Sequence, residues 1–195
     1  MLERNLLLLT FSLRTVSPRA ARVAGALLLS LLAVPAVFAH SKHAAHAAAP
    51  SGKVQAQNQA LASGNVVQAA SAFRGTRYVM GGTSRSGFDC SGFVRFILSA
   101  TDGVALPRTA TEQFYHGTSV SVSQAQPGDL VFFKNTYKRG ISHVGIYVGG
   151  GQFIHAANAH KGVRTDSLSS SYYQAHFAGL RRVLPAAMRM AAMGR

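Results

Sequence analysis

The apolar residues of this chain change their spacing once, near residue 100, and that change constrains the fold more than any other feature. Before it they recur at helical intervals. In residues 65–75 (NVVQAASAFRG), Val66, Val67, Ala70 and Phe73 lie on one helical face, with Asn65 as candidate N-cap and Gly75 as stop. After a Gly81-Gly82 pair and a polar loop, Phe93, Val94, Phe96, Ile97 and Leu98 make a second, mostly buried helix of about ten residues, with Cys90 at its start. Beyond residue 100 the apolar residues gather in short runs rich in Val, Ile, Phe and Tyr and bounded by Gly, Pro or Asn. These are GDLVFFK, SHVGIYVG, GQFIHAA and, near residue 180, FAGLRRVL, and they predict adjacent strands joined by tight turns. Helices followed by a run of neighbouring strands predict an α+β domain in which N-terminal helices pack on a small antiparallel sheet. No internal repeat is present, which sets solenoid architectures aside.

The ends of the chain read differently. Residues 1–22 carry Arg4, Arg14, Arg19 and Arg22 against Glu3, and an uncharged apolar run from Val23 to Ala39 ends in Val37-Phe38-Ala39. A basic segment, a short apolar segment and a small-x-small ending predict a signal peptide over 1–39 cut after Ala39, with an uncleaved N-terminal anchor as the alternative. The run is short for a membrane span and holds Pro35, so no stable span is expected after processing. No cysteine follows it, which argues against a lipid-modified N-terminus and favours a periplasmic or secreted protein. Residues 40–61, rich in Ala, His and Gln, read as a flexible linker, and 185–195 as a disordered tail. His40, His43 and His46 recur every third residue without a carboxylate or thiol to complete a metal site.

The chain carries a formal charge of +14, with one cysteine among 195 residues. The charge suggests an anionic neighbourhood, and for an exported protein an acidic envelope surface or acidic peptides fit better than nucleic acid. The aromatic-interleaved basic strands and recognition-helix signatures of nucleic-acid binders are missing. A single thiol builds no disulfide framework. Cys90 is therefore a buried spectator, an intermolecular link or a nucleophile. Its place at a helix start lowers the cost of a thiolate, and the charge of Asp89, the candidate N-cap, partly opposes that effect. A base is needed. His116, His160 and His176 lie in loop or polar text, whereas His143 and His155 lie within predicted strands. If Val148 pairs with Gln152 across a Gly149-Gly150-Gly151 loop, Gly145 faces His155 and both imidazoles share one sheet face; a four-residue loop would separate them. The shared face makes His143 a candidate base and His155 its orienting partner. The alternatives are ordinary packing of two strand histidines, or a zinc site of Cys90 and both histidines completed by a fourth ligand or water.

Six segments in order, YVMGG, FDCSGFV, LPRTATEQ, PGDLVFF, SHVGIYVGGGQFIHA and the closing RRV, resemble the NlpC family of papain-like cell-wall peptidases over about residues 62–184. The resemblance implies a papain-like α+β fold with Cys90 as nucleophile, His143 as base and His155 as third polar residue. It further implies Tyr78, Asp89 and Ser91 as substrate contacts. The implied substrate is the stem peptide of bacterial peptidoglycan, cut between D-γ-glutamate and the diamino acid through a thioacyl-enzyme. The same fold could instead serve as an amidase or acyltransferase on another bond, or as a catalytically silent wall-binding module. The chemistry requires no metal or organic cofactor, and a monomer is expected. Met80 stands where the family commonly has tryptophan and Arg77 where proline is common, so the tyrosine segment departs from the pattern.

Overall fold

A computed structural model describes residues 51–184. The regions read as a signal peptide, the first part of the linker with its three histidines, and the C-terminal tail lie outside the described residues. Among the described residues five α-helices and eight strands, with one 3-10 turn at Val122–Gln124, follow one another as α1 (Gly52–Ala62), α2 (Val66–Ala72), β1 (Thr83–Ser84), β2 (Gly87–Phe88), α3 (Cys90–Asp102), α4 (Ala110–Phe114), β3 (Thr118–Val120), β4 (Leu130–Lys134), β5 (Ile141–Gly149), β6 (Gln152–Ala156), β7 (Val163–Ser167), α5 (Ser171–His176) and β8 (Phe177–Arg182). Strands β1 and β2 form a small hairpin, and the other six make one antiparallel sheet in the order β3-β8-β4-β5-β6-β7. The expected α+β layering is present, with α1 to α4 gathered on one sheet face.

The stretch read as linker requires a correction: its last part, from Gly52 onward, is α1, and Gln57 and Ala60 of that helix are buried. Its Ala and Gln side chains gave no apolar stripe to read. The helix is held by packing on α2 and α3 and by the Gln57 amide, which donates to the Ala72 carbonyl at 3.4 Å.

Alternation along the strands builds two cores. Leu130, Phe132, Val144, Ile146, Ile154 and Ala156 face the helices and join Phe73, Phe88, Phe93 and Ile97. Val131, Phe133, Phe153 and Leu180 face the other way, where Tyr173 of α5 and Phe177 cover them. The β5–β6 register pairs Ile146 with Ile154 and Tyr147 with Phe153, as expected, but the turn is built differently. Gly149 faces Gln152, a bulge falls at Val148, and Gly150-Gly151 make a two-residue turn with both φ values positive. The bulge absorbs the extra residue, so the parity of His143 and His155 survives.

Helix α3 is fixed at the point where it matters for chemistry. Asp89 caps it by accepting from the Gly92 N–H at 2.7 Å, and the Asp89 N–H donates to the Gly82 carbonyl at 3.0 Å. Its first turn packs so closely that a Cβ on Gly92 would stand 2.1 Å from the Gly82 oxygen. Gln113 of α4 donates to the Ser91 and Pro107 carbonyls at 3.1 and 2.9 Å and ties the same turn from the other side. At the far end of the sheet Arg182 donates two bonds, of 2.8 and 2.7 Å, to the buried Asp129 carboxylate, which unites the Pro-Gly-Asp and Arg-Arg-Val segments. Gly92→Ala is expected to cost about 1–3 kcal/mol of stability by overpacking a backbone contact. Denaturant unfolding measures it, and an unchanged midpoint would contradict the close approach.

Candidate active site

Cys90 opens α3 with its side chain buried. Backbone N–H groups of Val144, Ser91 and Cys90 itself are directed at the sulfur, but burial, aided by the neighbouring Asp89 charge, outweighs them and pushes the thiol up to about 11. The helix start therefore does not produce a thiolate by itself. The Val144 contact sets the thiol against the middle of β5, beside the residue that follows His143.

The His143 and His155 side chains alternate with the core-facing Val144 and Ile154 along β5 and β6, and their rings lie edge to face at a centroid distance of 4.9 Å. Nε2 of His143 is 2.6 Å from Nδ1 of His155. Gly145 makes the approach feasible, because a Cβ there would stand 3.1 Å from the His155 Cβ and 2.8 Å from the Phe153 ring. Burial, then the adjacent His155, holds the His143 imidazole well below its ordinary range. Burial also lowers His155, against the opposing pull of Asp166. Both rings are neutral at pH 7. Because their nitrogens bond to each other and to Asp166, they do not converge on a common point. No group of His, Cys, Asp and Glu among the described residues is arranged to hold a metal ion.

Asp166 is the residue that sequence reading missed. His155 Nε2 donates to Asp166 Oδ2 at 3.0 Å, Tyr173 donates to the same oxygen at 2.9 Å, and Arg164 lies 2.7 Å from Oδ1. Burial alone would raise this carboxyl; the bonds from His155 and Tyr173 and the Arg164 charge override it and bring it to about 2. Strand β7 places it: Phe153 faces Asp166 and His155 faces Arg164 across the β6–β7 ladder, so all four side chains share one face. The turn residues Asn158 to Gly162 between two pairable segments were the available signal.

The predicted substrate contacts Tyr78, Asp89 and Ser91 lie close to the thiol. Tyr78 feels the charges of Cys90, Asp89, Tyr137 and Arg108, and burial is the main reason its hydroxyl is raised to about 12. It stays protonated and able to donate. Asp89 Oδ1 accepts from Ser91 at 3.2 Å and Arg108 at 3.2 Å in addition to the cap, and Oδ2 is ion-paired with Arg108. Arg108 also donates to the Ser91 hydroxyl at 3.0 Å. The cap reading of Asp89 is thus realised, with a guanidinium partner that the sequence reading had not assigned. Met80 is exposed beside Tyr78, its sulfur 3.8 Å from the hydroxyl. A cavity of about 500 Å³ opens beside His143 and is lined also by Tyr137, Asn158, Lys161 and Tyr172. Tyr137 is shared: it feels the Cys90 and Asp89 charges as well.

Comparison with known proteins places these residues in a family context. The NlpC/P60 family model matches residues 75–182. The gamma-DL-glutamyl hydrolase of Bacillus subtilis (strain 168) is 44% identical over 128 residues, covering 65% of this chain and 31% of that protein. The probable endopeptidase p60 of Listeria seeligeri is 47% identical over 109 residues, covering 56% of this chain and 20% of that protein. This chain therefore spans less than a third of the length of either relative. The solved NlpC/p60 domain of the peptidoglycan hydrolase SagA superposes with a TM-score of 0.54 at 36% identity, covering 62% of this chain and 97% of that domain.

Arg108→Ala should leave the Asp89 charge uncompensated next to the thiol and move the pH dependence of Cys90 alkylation by iodoacetamide upward. A titration curve that does not move, or moves down, would show that the guanidinium does not act on the sulfur.

Proposed function

The chain belongs to the NlpC/P60 family, and on that premise we propose that it is an exported cysteine endopeptidase that hydrolyses peptidoglycan stem peptides. The observation that carries the reading is the coincidence, inside the family match, of Cys90 at the start of α3 with the hydrogen-bonded pair His143 and His155 on the neighbouring strands. In the proposed reaction the Cys90 sulfur attacks the scissile carbonyl carbon as its proton passes to His143. The carbonyl oxygen becomes an oxyanion that the Cys90 N–H and the Tyr78 hydroxyl are suited to meet. Collapse breaks the C–N bond, the proton passes from His143 to the leaving amine, and a thioester remains on Cys90. Water, deprotonated by His143, attacks the thioester, and the thiol leaves with its proton restored.

The D-γ-glutamyl to diamino acid bond is the proposed target. The name of the Bacillus subtilis relative supports it, and so does Lys161, a cation at the cavity beside His143 suited to a stem-peptide carboxylate. Asp89 and Ser91, with Arg108 attached to both, are proposed to hold the acyl side of the peptide. Export rests on the basic and apolar segments of residues 1–39, and attraction to an anionic envelope surface rests on the excess of Lys and Arg. Among the described residues no helix is long and apolar enough to cross a membrane.

Cys90→Ala is expected to abolish release of soluble fragments from purified sacculi while leaving binding to sacculi intact. Full activity in that variant would end the proposal. Product masses decide the bond, since an amidase or acyltransferase would leave different fragments. The pH dependence of kcat/KM provides a second test. Protonating His143 removes the base, and that group is held well below 6.5 by burial and by His155, so the acid limb is expected below pH 6.5. Loss of the thiol proton sets the alkaline limb, which the raised thiol places above the ordinary cysteine value. An acid limb at or above pH 6.5 would contradict the assignment of His143.

A further inference from the structure

We propose that Asp166 is a positioning residue that fixes the tautomers of both imidazoles and so leaves Nδ1 of His143 as the bare nitrogen that takes the thiol proton. The inference rests on the cysteine-hydrolase reading and extends it to a carboxylate one ring further from the reacting atoms. Asp166 is ionised and can only accept, so the His155 nitrogen 3.0 Å from Oδ2 carries a hydrogen. His155 is neutral, and its other nitrogen, Nδ1, is bare. That bare nitrogen stands 2.6 Å from Nε2 of His143, which must therefore be the N–H of the second ring. Only Nδ1 of His143 remains as a base. When His143 takes the proton, the positive charge forms on a buried ring with the fixed Asp166 charge behind it, and that charge favours the protonated ring.

The surroundings keep Asp166 in this role. Tyr173 donates to the same oxygen as His155, at 2.9 Å, and sets the carboxylate plane from α5. Arg164 donates to the other oxygen at 2.7 Å. This second contact makes a clear prediction about an amide in place of the carboxylate. A guanidinium offers only donors, so the amide oxygen of Asp166→Asn must turn toward Arg164 and the NH2 toward His155. The NH2 then donates to His155 Nε2, His155 becomes the Nδ1–H tautomer, and its hydrogen points at His143 Nε2. His143 in turn carries its hydrogen on Nδ1 and has no lone pair there for the thiol proton.

The test reads tautomers and turnover together on the full chain. With 15N-labelled histidine, long-range 1H–15N correlation spectra are expected to show His143 and His155 of the wild type as Nε2–H forms, and both as Nδ1–H forms in Asp166→Asn. With L-alanyl-γ-D-glutamyl-meso-diaminopimelate as substrate, kcat of that variant should fall by about 100-fold or more, with KM little changed, as for other inverted base tautomers. Adding Arg164→Ala lets the amide turn over, and part of the lost kcat should return. A wild-type spectrum with His143 as the Nδ1–H form overturns the proposal without any variant. So does an Asp166→Asn protein that keeps Nε2–H histidines, whether or not its activity falls. The tautomers are read without substrate, so they stand or fall apart from the hydrolase reading, which the Cys90→Ala measurement decides.

Discussion

The contact between the first turn of α3 and the middle of β5 is the constraint on which the site depends. Helix and strand are held together by the apolar core on one side of the sheet, where Phe93 and Ile97 meet Val144 and Ile146. The same contact brings the Cys90 sulfur to the Val144 N–H. That N–H belongs to the peptide bond that follows His143, and period-two alternation puts His143 on the strand face it shares with His155. Two glycines permit the close approaches on either side of that contact. Gly92 lets α3 approach the Gly82 carbonyl, and Gly145 clears the space that His155 occupies beside β5.

The electrostatics follow from that burial. A thiol at a helix start would ordinarily be lowered, yet in this site burial and Asp89 raise it, while burial lowers both imidazoles. Thiol and imidazole therefore rest neutral, and in the proposed reaction the proton moves only when substrate gives the sulfur an electrophile. Acidic residues are few in this basic chain, and three of the aspartates are spent on defined tasks. Asp89 caps α3 and binds Arg108, Asp129 locks β8 through Arg182, and Asp166 anchors the histidine pair. The papain-like α+β scaffold thus uses three of its few carboxylates as fixed joints between elements.

Much of this was legible in the sequence, for identifiable reasons. The α2 stripe, the Asp89 cap and the parity of His143 and His155 follow from periodicities of 3.6 and 2, which local sequence records directly. The parity held although the turn did not form as expected, since a bulge at Val148 compensated for the shorter loop. What local sequence does not record is pairing with distant segments. Helix α1 has too few large apolar residues to announce itself and is stabilised by neighbours. Strand β7 is an edge strand with four polar residues in succession, so VRTDS resembles a loop until its register against β6 is known. Asp166 was missed for that reason, and Arg108 because its partner lies nineteen residues away.

The central claim is that the Cys90 sulfur forms a covalent bond with the acyl half of a stem peptide. Rapid acid quenching of the full chain during turnover of L-alanyl-γ-D-glutamyl-meso-diaminopimelate, followed by peptide mapping in a mass spectrometer, tests it directly. The account predicts a mass increase equal to the L-alanyl-γ-D-glutamyl group on the peptide that contains Cys90. Turnover of the substrate with Cys90 unmodified throughout, or an adduct on any other side chain, would contradict it.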